Sequence, residues 1–273
     1  MSINVKPVML GELEAFEIAT DDAVAVLTPH GAHIISYRPF ETEDDLLFVS
    51  EKAKYTPGKA VRGGIPVCWP WFGKVAQPPH GVARSNKWDM SAVREEADGS
   101  ASVALTFDWY GQSATLDVNI GKSLTVQLTT KNLTGRNIPF SDALHTYFRV
   151  GDVRKIRISG FDGCEYDCAL TRTRHTQEGD ITIGENVDRI YYPGRNIAVI
   201  DDPVLDRKIR VERFGSDSAV VWNPWAEMAA TIADFGDDEY TQMVCIEAAN
   251  AGDDARALRP ETIHILGTRI SLI

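Results

Sequence analysis

Eight runs of this chain alternate apolar and polar residues at a period of two, which restricts it to folds built from half-buried strands. The runs are AVAVLTPHGAHIISYRP (23–39), SVALTFDWY (102–110), ATLDVNIGKSLTVQLTTKNLT (114–134), KIRISGF (155–161), AVIDDPVLDRKIRVERF (198–214), SAVVWNPW (218–225), YTQMVCIEAAN (240–250) and ETIHILGTRISLI (261–273). They are rich in β-branched and aromatic residues, which pack well on a pleated surface. Turn-forming pairs separate them, among them Asp98-Gly99, Thr134-Gly135, Asp162-Gly163 and Pro193-Gly194. Helical signal is confined to 43–54 and 226–235, the second following Pro224. Parallel βαβ units need a crossover helix between strands, so the pattern predicts an all-β chain, a large antiparallel β-sandwich with few short helices. No repeat of about 20–50 residues points to a propeller or solenoid.

The 273 residues are 44% hydrophobic, enough for a substantial core, and no low-complexity linker divides them. One domain spanning 1–273 is expected. The formal net charge of −11, with no Lys/Arg run, argues against nucleic acid or anionic membrane as a partner, although a few arginines in a cleft can still receive a small anion. No apolar run approaches the roughly 20 residues that span a bilayer. MSINVKPVMLGELEAFEI has no basic segment followed by an apolar one, so a cytoplasmic location is expected. Cys68, Cys164, Cys168 and Cys245 are too scattered for a disulfide framework, and Cys164 with Cys168 lacks a second Cys/His pair for zinc. Free thiols and no structural metal are expected. The oligomeric state stays open, with a monomer favoured. GxGxxG, the P-loop, GxSxG and HExxH are absent.

RGGIPVCWPWFG (62–73) and HGVAR (80–84) concentrate two arginines, a histidine and two tryptophans among glycines and prolines that exclude a continuous helix. A guanidinium fork matches phosphate or carboxylate, and a tryptophan face suits the C–H face of a sugar, so together they suggest a sugar carrying an anion. The alternative is structural: Gly63-Gly64 and Pro66 form a turn, Trp69 and Trp71 fill the core, and Arg62 and Arg84 make surface ion pairs.

Three further segments could carry chemistry. SDALHTYFRVGD (141–152) places His145 in a strand beside Tyr147 and Phe148, either as a satisfied core histidine or as a proton-transfer group. Glu247 interrupts the apolar run of 240–250 and faces the opposite side from Ile246; beside a cleft it could act as a base. Asp188 in ENVDRIYYPG (185–194) reads by default as an aspartate near a turn.

RGGIPVCWPWFG, HGVAR, DALHTYF, VDRIYY, VWNPW and CIEAAN, in that order, resemble the hexose-6-phosphate mutarotase branch of the aldose 1-epimerase family, over about 62–250 and, with flanking strands, nearly the whole chain. The resemblance implies a galactose mutarotase-like β-sandwich. It implies His145 as general acid, Glu247 as general base, Arg62 and Arg84 holding the substrate at its phosphate, Asp188 on the sugar hydroxyls and His80 beside the sugar. Pro78-Pro79 before His80 departs from relatives with a polar residue such as glutamine there, so one substrate hydrogen bond is missing or replaced. The implied reaction interconverts the α and β anomers of an aldohexose 6-phosphate and requires no metal, nucleotide or redox cofactor. Competing readings are a mutarotase for unphosphorylated sugars, a glycoside hydrolase using Asp188 and Glu247, and a noncatalytic sugar-binding sandwich.

Overall fold

The alternating runs become strands of two large antiparallel sheets and, for 23–39, of a smaller one in the computed structural model, which describes residues 3–273. Met1 and Ser2, part of the expected 1–273 span, lie outside the described residues. The nine-stranded sheet has as its central strands Ile197–Asp202, Arg207–Phe214, Ile263–Leu272, Leu124–Asn132, Gln112–Ile120 and Ala101–Trp109. The eight-stranded sheet runs Thr173–Thr176, Glu165–Cys168, Val187–Tyr192, Ser218–Asn223, Met243–Asn250, Asp142–Leu144 and Val67–Cys68, with Tyr147–Arg149 also paired to Met243–Asn250. A four-stranded meander, Asn4–Leu10 to His33–Pro39, adds its own apolar face.

One continuous core lies between these sheets. Val103, Leu116, Val126, Leu128 and Leu266 come from the nine-stranded sheet, Leu144, Val221, Val244, Ile246 and Ala248 from the eight-stranded one, and Ile18, Leu27 and Ile34 from the meander. Removing this much apolar surface from water is the main stabilising term of the fold. The β-sandwich expected from period-two alternation is what forms.

Two local expectations need correction. Residues 43–54 form no helix. Asp45 accepts the backbone N–H groups of Tyr37 and Leu47, Leu46 N donates to Tyr37 O, and Phe48 N donates to Tyr147 O. The aspartate and neighbouring strands thus take the N–H groups that a helix would need, while Leu46, Leu47 and Phe48 are all buried in succession. In 226–235 only Trp225–Ala229 is helical; beyond it the chain turns so that Phe235 packs on Phe48. The hairpin Asn4–Leu10 with Leu13–Ala19 gave no alternating signal because its first strand is an exposed edge.

Candidate active site

Strand pairing explains why segments far apart in sequence converge. Leu144 pairs with Val67 and Ala143 with Cys68, while His145 N donates to Pro66 O and Tyr147 N to Gly64 O. The RGGIP and DALHTYF segments are thus one ladder. Gly64 is required for the close approach of this segment to the strand His33–Pro39 on its other side: its φ is +63°, and a Cβ there would stand 2.2 Å from Ile34 O. On the other side, Asp142–Leu144 and Tyr147–Arg149 both pair with Met243–Asn250 in one continuous register. The same register sets His145 opposite Glu247.

Alternation then sorts the eight-stranded sheet into two faces. Leu144, Val221, Val244, Ile246 and Ala248 point into the sandwich core. Cys68, His145, Tyr147, Asp188, Trp222, Cys245 and Glu247 share the other face, as the pairs Asp188 with Trp222, Trp222 with Cys245 and Tyr147 with Cys245 require.

At the centre of that face His145 Nε2 stands 3.4 Å from Glu247 Oε1, with His145 8% and Glu247 1% exposed. Neither carboxylate oxygen of Glu247 has a hydrogen-bond partner, nor does His145 Nδ1. The His145 ring stacks on Tyr147, with centroids 4.8 Å apart and planes 13° apart, and meets Trp222 edge-on at 6.0 Å. Burial holds Glu247 well above the usual carboxylate range, with Asp188 adding to the rise and Arg84 opposing it. Burial also holds His145 well below the usual imidazole range, helped by His80, Arg84 and Arg62. Both environments disfavour charge, so the resting pair carries its proton on Glu247 and leaves His145 neutral. Asp188 lies within a strand rather than at a turn; burial raises its carboxyl and Lys74 counteracts that.

His80 joins the cluster from the loop of 71–80. Its ring lies 5.7 Å from that of His145 and 5.0 Å, edge-on, from Phe72. The loop is closed at its base, where His80 N donates to Gly73 O at 2.7 Å and Trp71 Nε1 to Pro78 O at 2.8 Å. Burial, with help from Arg84, lowers His80 to about 4.

The two arginines differ. Arg62 donates through Nε and Nη2 to Asp234 Oδ1, at 3.2 and 3.1 Å, and through Nη1 to the Tyr147 hydroxyl. Tyr147, then Asp234, hold it further into its charged form against the effect of burial. Arg84 donates to Pro79 O and makes no ion pair among the described residues. All six residues singled out from sequence therefore belong to one neighbourhood, but Arg62 enters it already neutralised by a carboxylate.

Sequence reading missed Asp234, Lys74 and Trp222. Asp234 sits in an acidic run that resembles a solvated surface, and only the tertiary fold brings it to Arg62. The signal for Trp222 was present: in 218–225 it alternates in phase with Val220, the residue opposite Glu247. Trp225 instead packs on Tyr240, and Asn223 is buried with its amide on the Tyr240 and Met243 carbonyls. Trp69 is a core residue bonded to Thr130, as the structural alternative held.

A buried, hydrogen-bond-starved histidine and glutamate on one face of a β-sandwich, ringed by aromatic rings and cations, form the candidate site. Residues 14–271 match the family model for aldose 1-epimerase. The chain belongs to the aldose 1-epimerase family, which makes it an isomerase of the mutarotase type with a small-molecule sugar substrate.

Among its relatives, the Escherichia coli (strain K12) protein named "Putative glucose-6-phosphate 1-epimerase" is 31% identical over 285 residues, covering 96% of this chain and 93% of that one. A Salmonella typhimurium (strain LT2) protein of the same name is 31% identical over 261 residues, covering 89% of this chain and 85% of its own. The crystal structure of a Salmonella typhimurium protein titled "putative mutarotase (YeaD)" superposes with a TM-score of 0.90 at 26% identity, covering 98% of this chain and 93% of that one. The structure of HI1317 gives a TM-score of 0.83 at 25% identity, with both chains covered in full. No helix among the described residues is long and apolar enough to cross a membrane.

Proposed function

We propose that the protein interconverts the α and β anomers of aldohexose 6-phosphates by general acid–base catalysis, with Glu247 and His145 as the proton-transfer pair. The observation that carries this reading is the 3.4 Å approach of two buried groups whose remaining polar atoms have no protein partner. Buried polar groups are nearly always satisfied, so orphaned ones mark where a ligand's polar atoms belong.

In the reaction the base takes the proton of the C1 hydroxyl while the acid delivers one to the ring oxygen. The C1–O5 bond breaks and leaves the open-chain aldehyde. Rotation and closure on the other carbonyl face reverse both transfers. Moving one proton from Glu247 to His145 converts the resting neutral pair into carboxylate base and imidazolium acid without exchange with solvent. A pair of this kind contributes about 10²–10⁴-fold per group. Asp188, on the same face, serves the sugar hydroxyls. Trp222, half-buried, offers flat apolar surface and meets the His145 ring edge-on, while the buried Tyr147 backs that ring by stacking on it.

The 6-phosphate is supported by the names of the relatives and by the cations at the site. Arg84 makes no ion pair among the described residues and Lys74 is exposed, and both act on the charge of the buried groups. Arg62 supports phosphate binding only if the phosphate shares or displaces Asp234.

The test is the rate of anomer exchange of glucose 6-phosphate by NMR magnetization transfer, with plain glucose and the Glu247→Gln variant in parallel. Acceleration confined to the phosphorylated sugar and lost in the variant is expected. Equal acceleration of both sugars would move the substrate to unphosphorylated aldoses. Binding without acceleration would make the protein a sugar-binding module.

A further inference from the structure

The imidazole of His80 has one engaged nitrogen and one free one. Cys68 Sγ lies 3.6 Å from Nδ1, whereas Nε2 has no protein partner among the described residues and is not among the buried orphaned atoms. Cys68 is fully buried, and its pairing with Ala143 puts its side chain on the face that carries His145 and Glu247. The backbone is bent to bring His80 there: its φ is +65°, uncommon for a residue with a side chain, and Gly81 follows at +77°. A Cβ at Gly81 would stand 2.0 Å from Trp69 O, so the loop end is pressed against the residue that directly follows Cys68.

A neutral imidazole carries one proton, and two arrangements are possible. With the proton on Nδ1, the ring donates to sulfur, a weak acceptor, and the thiol hydrogen is left without an acceptor in a dry interior. With the proton on Nε2, the thiol donates to Nδ1, a strong acceptor, and Nε2–H faces the open side of the site. Only the second arrangement gives the buried thiol hydrogen an acceptor, and it leaves unpaired only the nitrogen that is not buried. Burial supports it further, since it holds the thiol protonated, up at about 12, and His80 neutral, down at about 4.

We infer that Cys68 is a positioning residue: its thiol fixes His80 as the Nε2–H tautomer, so that His80 presents a hydrogen-bond donor, never an acceptor, to a hydroxyl oxygen of the sugar beside His145. The ligand class rests on the mutarotase reading above; the tautomer does not.

The experiment is two-bond ¹H–¹⁵N correlation NMR on protein labelled in histidine nitrogen, recorded without ligand near neutral pH. The expected wild-type spectrum has His80 Nδ1 in the unprotonated range and Nε2 in the protonated range. In Cys68→Val, which removes the donor and adds one heavy atom to the side chain, the two nitrogens should move toward averaged shifts. Cys68→Ser should restore the wild-type pattern. The Michaelis constant for glucose 6-phosphate should rise about threefold to tenfold in Cys68→Val, the size of one neutral hydrogen bond, with kcat unchanged and Cys68→Ser near wild type. A wild-type spectrum with the proton on Nδ1 overturns the inference, as does an unchanged tautomer in Cys68→Val. If Cys68→Val fails to fold, the wild-type and Cys68→Ser spectra decide. Absence of anomer exchange in the wild type would sink the mutarotase reading while leaving the tautomer result intact.

Discussion

The two faces of the eight-stranded sheet are built from the same strands and obey opposite rules. On the core face, Leu144, Val221, Val244, Ile246 and Ala248 are buried against apolar neighbours. One residue along on the other face, Glu247 is as deeply buried, yet its carboxylate oxygens have no hydrogen-bond partner. Leaving a buried polar group unpaired typically costs about 1–3 kcal/mol. The large apolar core on the other side of the same strands offsets that cost, and on the proposed function the substrate's polar atoms relieve it. Asp142, a second orphaned carboxyl, sits at the end of the core face near Asp254 and Arg256 and is raised well above the usual range by burial. It shows that strand ends follow the face rule less strictly than strand centres.

Adjacent substitutions in one strand can break this comparison. Glu247→Gln should lower the anomer-exchange rate by about 10²–10⁴-fold without lowering the thermal midpoint, since an uncharged amide replaces a carboxyl already held neutral. Because the folded state keeps a proton that the unfolded chain releases, the wild type loses stability as pH rises above the ordinary carboxylate range, and this variant should show a shallower loss. A folded variant with undiminished rate would remove Glu247 from the mechanism. Ile246→Ala should behave inversely, with a stability loss of about 2–5 kcal/mol in denaturant titration and a rate per folded molecule near wild type.

Histidines sharpen the contrast through pH. Burial lowers both His33 and His80 to about 4. Their unfolded values lie near 6.5, so the unfolded chain binds more protons in between. The stability they contribute is fully present above about pH 6.5 and lost as pH falls through about 4, on the order of 3 kcal/mol for the fully buried His33 alone. Urea midpoints measured from pH 7 to 4.5 should decline, and less steeply in His33→Gln; parallel declines would mean that other groups control acid unfolding. The coupled pair His145 and Glu247 should give kcat a bell-shaped pH profile, and a flat profile across pH 5–9 would contradict their assignment.

The smallest expected effect concerns the rim. Arg84→Ala should raise the Michaelis constant for glucose 6-phosphate about tenfold while leaving plain glucose unaffected. Equal weakening of both sugars would show that Arg84 organises the loop through its bond to Pro79 instead of holding phosphate.

The sheet faces were legible in the sequence to the extent that they alternate. The strands Leu124–Asn132 and Arg207–Phe214 repeat buried and less buried positions and were visible as such. Met243–Asn250 is buried at every position, and there alternation said only that Glu247 and Ile246 point apart, not which side is core. The six candidate residues were singled out because ordered motifs carried them. What stayed hidden depended on contacts that only the folded chain makes: Asp234 on Arg62, 172 residues apart, and Cys68 against His80 across the closed loop. No local pattern encodes such pairings. The failed helix at 43–54 has the same origin, since its N–H groups are taken by Asp45 and by strands elsewhere.

The closed base of the loop at 71–80 has a consequence for descent with modification. With His80 tied to Gly73 and Trp71 tied to Pro78, the residues from Lys74 to Gln77 hang outside the tie as an exposed cassette. They can be exchanged or extended without moving the histidine or the strand behind it. A lineage carrying this scaffold can therefore rewrite four residues at the rim while inheriting the buried pair of His145 and Glu247 unchanged.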